Sequence, residues 1–288
     1  MSAGAKMRKL LAGGPIVLGG GAHDGLSARI VEQCGYPLCV VTGAGASMCH
    51  GYPDVGFVAG EEMVANARYI AEAVEIPVIV DADNGYGNAL NCMRTVRAFE
   101  RAGVAGIHIE DQDWPKKCGH MFGKKLISTQ EMVGKIKASL DARRDPDFLI
   151  IARCDAVMVE GIDAALGRGE AYREAGADML FIEMRESMDE MRAIAGRFRG
   201  RVPLHFNHSP SGMVPRLHVS DIEALGFSTC CFYAHTIMAA VKAMRDVLTD
   251  IKRTGNSLAV WDRMVSFDEF WEIGGLSKIK ALEKKYGV

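Results

Sequence analysis

A chain of 288 residues, 49% hydrophobic and 24% charged, suits one large α/β barrel or two smaller domains. Its formal charge of −2 gives no general attraction for nucleic acid or an anionic membrane, and no apolar run approaches the length of a membrane-spanning helix, so neither is expected as a partner. The eight cysteines are scattered, several of them inside apolar runs (Cys39, Cys230, Cys231), which suits small hydrophobes in a reducing cytoplasm rather than a disulfide framework.

In chain order, residues 1–11 lack the apolar core of a signal peptide and read as a first amphipathic helix. Short apolar, β-branched runs then recur at 15–18, 38–41, 78–80, 106–109, 148–152, 179–182, 202–206 and 228–233. Amphipathic segments at 61–73, 89–102, 129–142, 162–175 and 220–225 lie between them, often closing on Ala-Gly as helix C-termini do. This alternation predicts a parallel sheet, and eight strands close a (β/α)8 TIM-type barrel, with an open doubly wound sheet as the alternative. Gly19-Gly20-Gly21 and Gly43-Ala44-Gly45 lack dinucleotide spacing and read as strand-end turns. No linker or repeat interrupts the chain, so residues 1–288 read as one barrel domain with 237–288 as its helical C-terminal part. There, 236–253, 259–265, 267–273 and 276–285 predict helices whose Trp261, Phe267, Phe270 and Trp271 exceed what one barrel needs, which points to subunit contacts.

A barrel keeps its chemistry at the carboxyl ends of the strands. The residues just past the predicted strands are His23 and Asp24, Thr42 with Gly43, Asp81 with Asp83, Glu110, Arg153 with Asp155, Glu183, Asn207 with His208, and His235. Asp81 and Asp83 alternate to the same side of an extended strand, and with Glu110 they make a hard-oxygen cluster suited to Mg2+, partly through waters. The plainer alternative is a strand-end cap. Asp54, in Gly51-Tyr52-Pro53-Asp54, reads either as completing the outer shell or as an ordinary turn residue. In Lys116-Lys117-Cys118-Gly119-His120 a thiol stands among cations, which lower a thiol pKa; the alternative is a structural loop cysteine. His120 reads as an acid/base partner or a loop anchor, Arg153 as a carboxylate clamp or an ion-pair partner of Asp155, Glu183 as a base or a support for Arg153, and Asn207 as a donor to a carboxylate or a turn closer.

Taken together, Asp-Ala-Asp-x-Gly-Tyr-Gly-Asn at 81–88, Ile-Glu-Asp-Gln at 109–112 and Lys-Lys-Cys-Gly-His at 116–120 closely resemble the isocitrate lyase/phosphoenolpyruvate mutase superfamily. The resemblance runs from about Lys9 to the C-terminus. The Lys-Lys-Cys-Gly-His segment is similar to that of the carbon–carbon lyase branch, closest to its dimethylmalate- and methylisocitrate-type members. What this implies is a barrel dependent on Mg2+, or on Mn2+ in its place, with Asp54, Asp81, Asp83 and Glu110 serving the metal. Cys118 is implied as the catalytic acid on a gating loop, with Lys117, His120 and Glu110 in catalytic support. Thr42, Gly43 and Ala44 are implied at the substrate carboxylate, and Arg153, Glu183 and Asn207 at further substrate positions; Gly119 in the thiol loop and His235 past the last strand are read from their places in the chain as substrate contacts beside them. A homotetramer, a dimer of dimers in which the tail packs on or exchanges with a neighbour, is implied as well; the alternative is a tail folded back over its own barrel.

Three positions depart from the pattern. Ala44 stands where dimethylmalate-type enzymes often have Tyr, His208-Ser209-Pro210-Ser211-Gly212 replaces a Glu-Gly-Gly-like turn, and Ala239 stands where methylisocitrate lyases place a distal arginine. The expected activity is therefore cleavage of a 2-hydroxy dicarboxylate of the 2-alkylmalate type to a 2-oxo acid and a carboxylic acid. Oxaloacetate decarboxylation or hydrolysis, phosphonate chemistry, and a non-catalytic binding or scaffold role are the alternatives.

Overall fold

The computed structural model of the chain describes residues 1–184, 187–210 and 217–288. They form two compact units, Met1–His235 and Thr236–Val288. In the first, strands β1 (Val17–Ala22), β2 (Leu38–Val41), β3 (Val78–Asp81), β4 (Gly106–Glu110), β5 (Leu149–Cys154), β6 (Met179–Ile182), β7 (His205–Asn207) and β8 (Thr229–Phe232) pair in parallel in the order β6-β5-β4-β3-β2-β1-β8-β7. One parallel bridge, Leu180 to Leu204, closes the sheet between β6 and β7, with the Leu180 amide donating to the Pro203 carbonyl at 3.0 Å. The fold is a (β/α)8 TIM-type barrel.

Because the strands are buried on both faces, each side-chain parity has its own core. Val17, Leu38, Val40, Ile79, Leu149, Ile151, Met179, Phe181 and Cys231 fill the barrel, and Cys39, Val41, Val80, Ile107, Ile109, Ile150, Leu180 and Phe206 pack outward with the helices. Helix α1 (Ala3–Ala12), capped by Ser2, sends the fully buried Met7 into the interior cluster. The predicted first helix is thus present, with Met7 filling space inside the barrel.

The first strand lies later than the apolar run at 15–18 suggested, and it contains the glycines read as a turn. Space decides this: a Cβ on Gly20 would come 2.6 Å from Val31 Cγ1, and one on Gly19 or Gly21 would collide with Cys231 or the Tyr233 carbonyl. Glycine here lets β1 and β8 approach. Helices α4 (Gly60–Ala73), α5 (Ala89–Arg101), α6 (Thr129–Ala142), α7 (Ile162–Glu174) and α9 (Val219–Leu225) fall where their patterns predict. Helices α2 (Gly25–Gln33), α3 (Gly43–Cys49) and α8 (Met188–Phe198) carry weaker patterns and rest on their caps, the side chains of Asp24, Thr42 and Ser187 accepting from the amides of Ser27, Gly45 and Glu190. Gly43-Ala44-Gly45 is therefore the first turn of a helix, not a strand-end turn.

The second unit is helical, with α10 (His235–Thr254, its first residue belonging to the barrel unit), α11 (Phe267–Ile273) and α12 (Leu276–Tyr286). The helix predicted at 259–265 is a 3-10 segment, Leu258–Arg263. Trp261, Phe267, Phe270 and Trp271 are exposed. Among the described residues, no helix is long and apolar enough to cross a membrane.

Candidate active site

Period two along the strands selects what reaches the mouth of the barrel. Above Ile79 the next residue of interior parity is Asp81; above Ile151 it is Arg153, above Phe181 it is Glu183, and above Cys231 it is Tyr233, while His108 and Glu110 share one side of β4, as His205 and Asn207 do on β7. Of the predicted site residues, Thr42, Asp54, Asp81, Asp83, Glu110, Arg153 and Glu183 are all buried or nearly so.

The turn after β3 is held in an unusual backbone. Asp83, Gly85, Tyr86 and Gly87 have φ of 47°, 83°, 58° and 140°, so two non-glycine residues occupy the left-handed region, at a cost of order 1 kcal/mol or more each. The turn is over-determined by its surroundings: Asp83 N donates to Asp81 Oδ1 at 3.0 Å, Thr95 Oγ1 donates to the Gly85 carbonyl at 3.0 Å, and the buried Lys135 ammonium donates to the Asn84 carbonyl at 3.0 Å. Gly43 lies so near that a Cβ there would come 2.7 Å from Asp81 Oδ2.

Charge is dense here. Lys116, 1% exposed, places its ammonium 2.7 Å from both Asp54 Oδ1 and Asp83 Oδ1. Burial raises the Asp83 carboxyl to about 7 against the pull of Lys116, with Asp81 and Asp54 adding to the rise. Asp81 is held below the usual carboxylate range: burial opposes ionisation, but His108, Lys116 and Arg153 prevail. Glu110 is fully buried, neither carboxylate oxygen accepts a hydrogen bond from a described residue, and the nearest guanidinium nitrogen, Arg153 Nη1, is 3.4 Å away. Arg153 also meets Asp155 at 3.0 Å and Glu183 at 3.6 Å, and lies over the Phe181 ring at 5.0 Å from its centroid.

The loop between β4 and α6 lies over this cluster. Its feet are tied by an antiparallel bridge between Gln112 and Leu126. Cys118 N donates to the Asp54 carbonyl at 3.0 Å, and Gly119 sits so close that a Cβ would strike Arg153 Nη2 and come 3.0 Å from Glu183 Oε2. Buried Lys124 donates to the Gly119 carbonyl and lies 3.0 Å from Asp155 Oδ1. Asn207 Nδ2 is 3.3 Å from Glu183 Oε2 and 3.5 Å from His120 Nε2. Beyond Asn207, the His208 and His235 rings lie 6.0 Å apart between centroids; Ser211 and Gly212 of the departing turn fall outside the described residues.

Two expectations need correcting. The lysines beside Cys118 do not yield an acidified thiol: burial, then Asp54, push it up to about 11, and Arg153 and Lys116 oppose this only weakly. Lys117, expected in catalytic support, turns its ammonium to the Phe122 carbonyl at 3.5 Å, and the lysine that reaches the carboxylates is its neighbour Lys116. Nothing in a Lys-Lys pair says which of the two faces inward. His108 was visible, however, since it precedes Glu110 by two on β4 and so shares its side.

The donor set fits a hard divalent cation. Glu110 offers two buried oxygens without donors, and a lysine ammonium already occupies the space between two neighbouring carboxylates. The set is spread out. Among the described residues, the one His/Cys/Asp/Glu group with donor atoms all within 4.8 Å is elsewhere, at His23, Asp24 and Cys49. Asp54, Asp81, Asp83 and Glu110 thus suit an ion that takes one or two carboxylates directly and the rest through water, as Mg2+ does.

With this geometry in view, the relationships of the chain are clear. The family model described as phosphoenolpyruvate phosphomutase matches residues 7–252, and the chain belongs to that family. It is 47% identical over 287 residues to the 2,3-dimethylmalate lyase of Eubacterium barkeri, covering 99% of each chain, and 39% identical over 272 residues to a 2-methylisocitrate lyase of Aeropyrum pernix, covering 94% of this chain and 87% of that one. Among solved structures, a phosphonopyruvate hydrolase in complex with oxalate and Mg++ superposes with a TM-score of 0.92 at 33% identity over the whole of both chains.

Proposed function

We propose that the protein is a divalent-metal-dependent lyase that cleaves a 2-hydroxy dicarboxylate of the 2-alkylmalate type to a 2-oxo acid and a carboxylic acid. It is a carbon–carbon lyase of its family, and the 47% identity to a 2,3-dimethylmalate lyase supports that level of the reading. The observation that carries it is the seating of the Cys118 loop on the charged cluster, through Lys116 on Asp54 and Asp83 and through Gly119 on Arg153 and Glu183.

Asp81, Asp83 and Glu110, with Asp54, are the residues that would hold Mg2+ or Mn2+, and the bound ion would supply Lewis-acid stabilisation to the developing oxo acid. Arg153 and Asn207 present N–H donors for substrate carboxylates, with Thr42, Gly43 and Ala44 at the opposite rim, and Glu183 orients Arg153 and Asn207 by touching both. In the reaction the C2 hydroxyl gives its proton to a carboxylate of the site, Glu183 in this reading, which returns it to the Cys118 thiolate after turnover; the C2–C3 bond breaks and its electron pair passes to C3. Cys118, held as a neutral thiol, then delivers its proton to that carbon. Lys117 and His120, which flank the thiol and its glycine, would shape the closed loop, and the loop excludes water from the carbanion. The His208 and His235 rings pack with Phe206 and Phe232 on the outward side of the strands rather than toward Asn207, and the sequence has Ala239 where the resemblance implies a distal arginine in methylisocitrate lyases.

Eight unbridged cysteines fit a reducing cytoplasm. The exposed aromatic residues of Thr236–Val288 fit a homotetramer in which the tail packs on a neighbouring subunit.

The test is a substrate panel with Mg2+ and detection of the 2-oxo acid. Malates alkylated at C2 or C3 are expected to exceed 2-methylisocitrate in kcat/KM, because a carboxylate without its charge partner forgoes interaction of order 2–5 kcal/mol. Higher kcat/KM for the tricarboxylate would reverse the ranking. Turnover of oxaloacetate or phosphonopyruvate alone would replace the reaction.

A further inference from the structure

Below the charged cluster, the barrel interior holds a line of polar side chains that the proposed chemistry does not use. Thr229 Oγ1 lies 2.8 Å from His205 Nδ1, His205 Nε2 lies 3.0 Å from Tyr233 Oη, Tyr233 Oη lies 3.3 Å from His108 Nε2, and His108 Nδ1 lies 3.5 Å from Asp81 Oδ1. Thr229, His205 and His108 are at most 1% exposed and Tyr233 is 8% exposed, so water does not substitute for these partners. The rings are also locked by packing. Phe181 stacks on Tyr233 with 11° between planes, meets His108 edge-on and lies 4.7 Å from His205.

The proton positions follow link by link from the Asp81 end. His108 Nδ1 has no hydrogen-bond partner and faces a carboxylate oxygen. A lone pair there would repel Asp81, so the proton belongs on Nδ1. His108 Nε2 must then accept, and the Tyr233 hydroxyl is the donor available. Having spent its proton, Tyr233 accepts from His205 Nε2–H, which leaves His205 Nδ1 to accept from the Thr229 hydroxyl. Each group donates once, and all four donate toward Asp81. The opposite direction would end on a lone pair aimed at a carboxylate.

We propose that Tyr233 and His205 are positioning residues that fix the tautomer of His108 and, through its Nδ1–H, the orientation of the Asp81 carboxylate. Outer partners of this kind set ring orientation and ligand basicity in metal sites. The inference rests on the reading that Asp81 holds the divalent ion. It gives Asp81 Oδ1 to the protein and leaves Oδ2, which faces Gly43, for the ion or its water.

Two measurements on the full-length protein test it. In 15N-histidine NMR, wild-type His108 is expected as the Nδ1–H tautomer, and Tyr233→Phe is expected to lose that single tautomer; an Nε2–H tautomer in the wild type would overturn the direction of the chain. In Mn2+ titrations followed by electron paramagnetic resonance, Tyr233→Phe is expected to weaken binding about 10-fold or more, with Asp81→Ala as the reference for loss of the ligand itself. Thermal melts with and without Mn2+ accompany both. A purely structural role would lower the melting temperature of Tyr233→Phe and leave Mn2+ affinity at the wild-type value, which overturns the positioning role while Asp81→Ala still loses the ion. Wild-type Mn2+ affinity in Asp81→Ala would instead overturn the metal reading, and the positioning role with it.

Discussion

The two ends of the barrel contrast sharply. At the amino end, α1 contributes Met7 to an apolar interior, and its charged groups, Lys6 with Glu75 and Arg8 with Asp147 and Asp178, pair where they keep part of their contact with solvent. At the carboxyl end, Asp81, Asp83, Glu110, Lys116, Arg153, Asp155 and Glu183 are buried together beside a turn with two non-glycine residues at positive φ. Apolar burial stabilises through area alone, whereas buried charges cost desolvation that mutual attraction barely offsets. One end is therefore built for stability. The other keeps an arrangement that stability alone does not favour, which is the mark of a place selected for chemistry.

Changes at the two ends should separate activity from stability. The largest effect is expected for Cys118→Ser, which replaces a thiol with a far weaker acid: turnover should fall roughly 10²–10⁴-fold, while Mg2+ and 2-oxo-acid binding stay near wild type. Steady-state kinetics alongside calorimetric titration checks this, and activity within a few-fold of wild type would remove Cys118 from the mechanism. At the other end, Met7→Ala should cost roughly 2–5 kcal/mol of stability in urea unfolding with kcat unchanged. An equal loss of kcat would show that the ends are coupled.

A smaller effect joins stability to pH midway along the barrel. Burial, reinforced by His108 and Arg153, holds the His205 imidazole well below its ordinary value, and its hydrogen-bond neighbours Thr229 and Tyr233 are uncharged. Below about pH 6.5 the unfolded chain takes up a proton that the folded chain refuses, so stability falls as pH drops, by at most about 1.4 kcal/mol per unit, and is unaffected above that range. Urea melts of His205→Gln at pH 5 and pH 7 should show a loss smaller than that of wild type by about 2 kcal/mol. Parallel losses in the two proteins would mean that His205 titrates normally in the folded state.

Much of this plan was legible in the chain. β2 and β6 match their apolar runs, and the charged residues past the strands gather at one end, because burial on both faces leaves a continuous apolar signature. The same signature hides parity unless a site residue on the strand marks it: His205, two before Asn207, was as legible as His108, whereas Tyr233 lies past the end of β8 with no such marker. β1 was displaced because its glycines are selected by the closeness of Cys231 and Tyr233, a fact of tertiary packing. Helix α3 was missed for a related reason, since its glycines oppose helix formation and its cap, Thr42, was read only as a ligand contact. Lys116 and Lys117 are indistinguishable until the loop is folded.

The seam between β6 and β7 has a mechanical consequence. One backbone bridge joins these strands, and β7 is only three residues long. Just above the bridge, Asn207 reaches across to Glu183 at 3.3 Å, so two proposed substrate contacts also stand on opposite sides of the joint. A ligand that engages both becomes a cross-tie. Amide hydrogens of Leu180 and of β7 should then exchange faster than those of β4 and β5 in the free protein and slow most when ligand binds, so occupancy of the site would be readable as stiffness of the barrel wall.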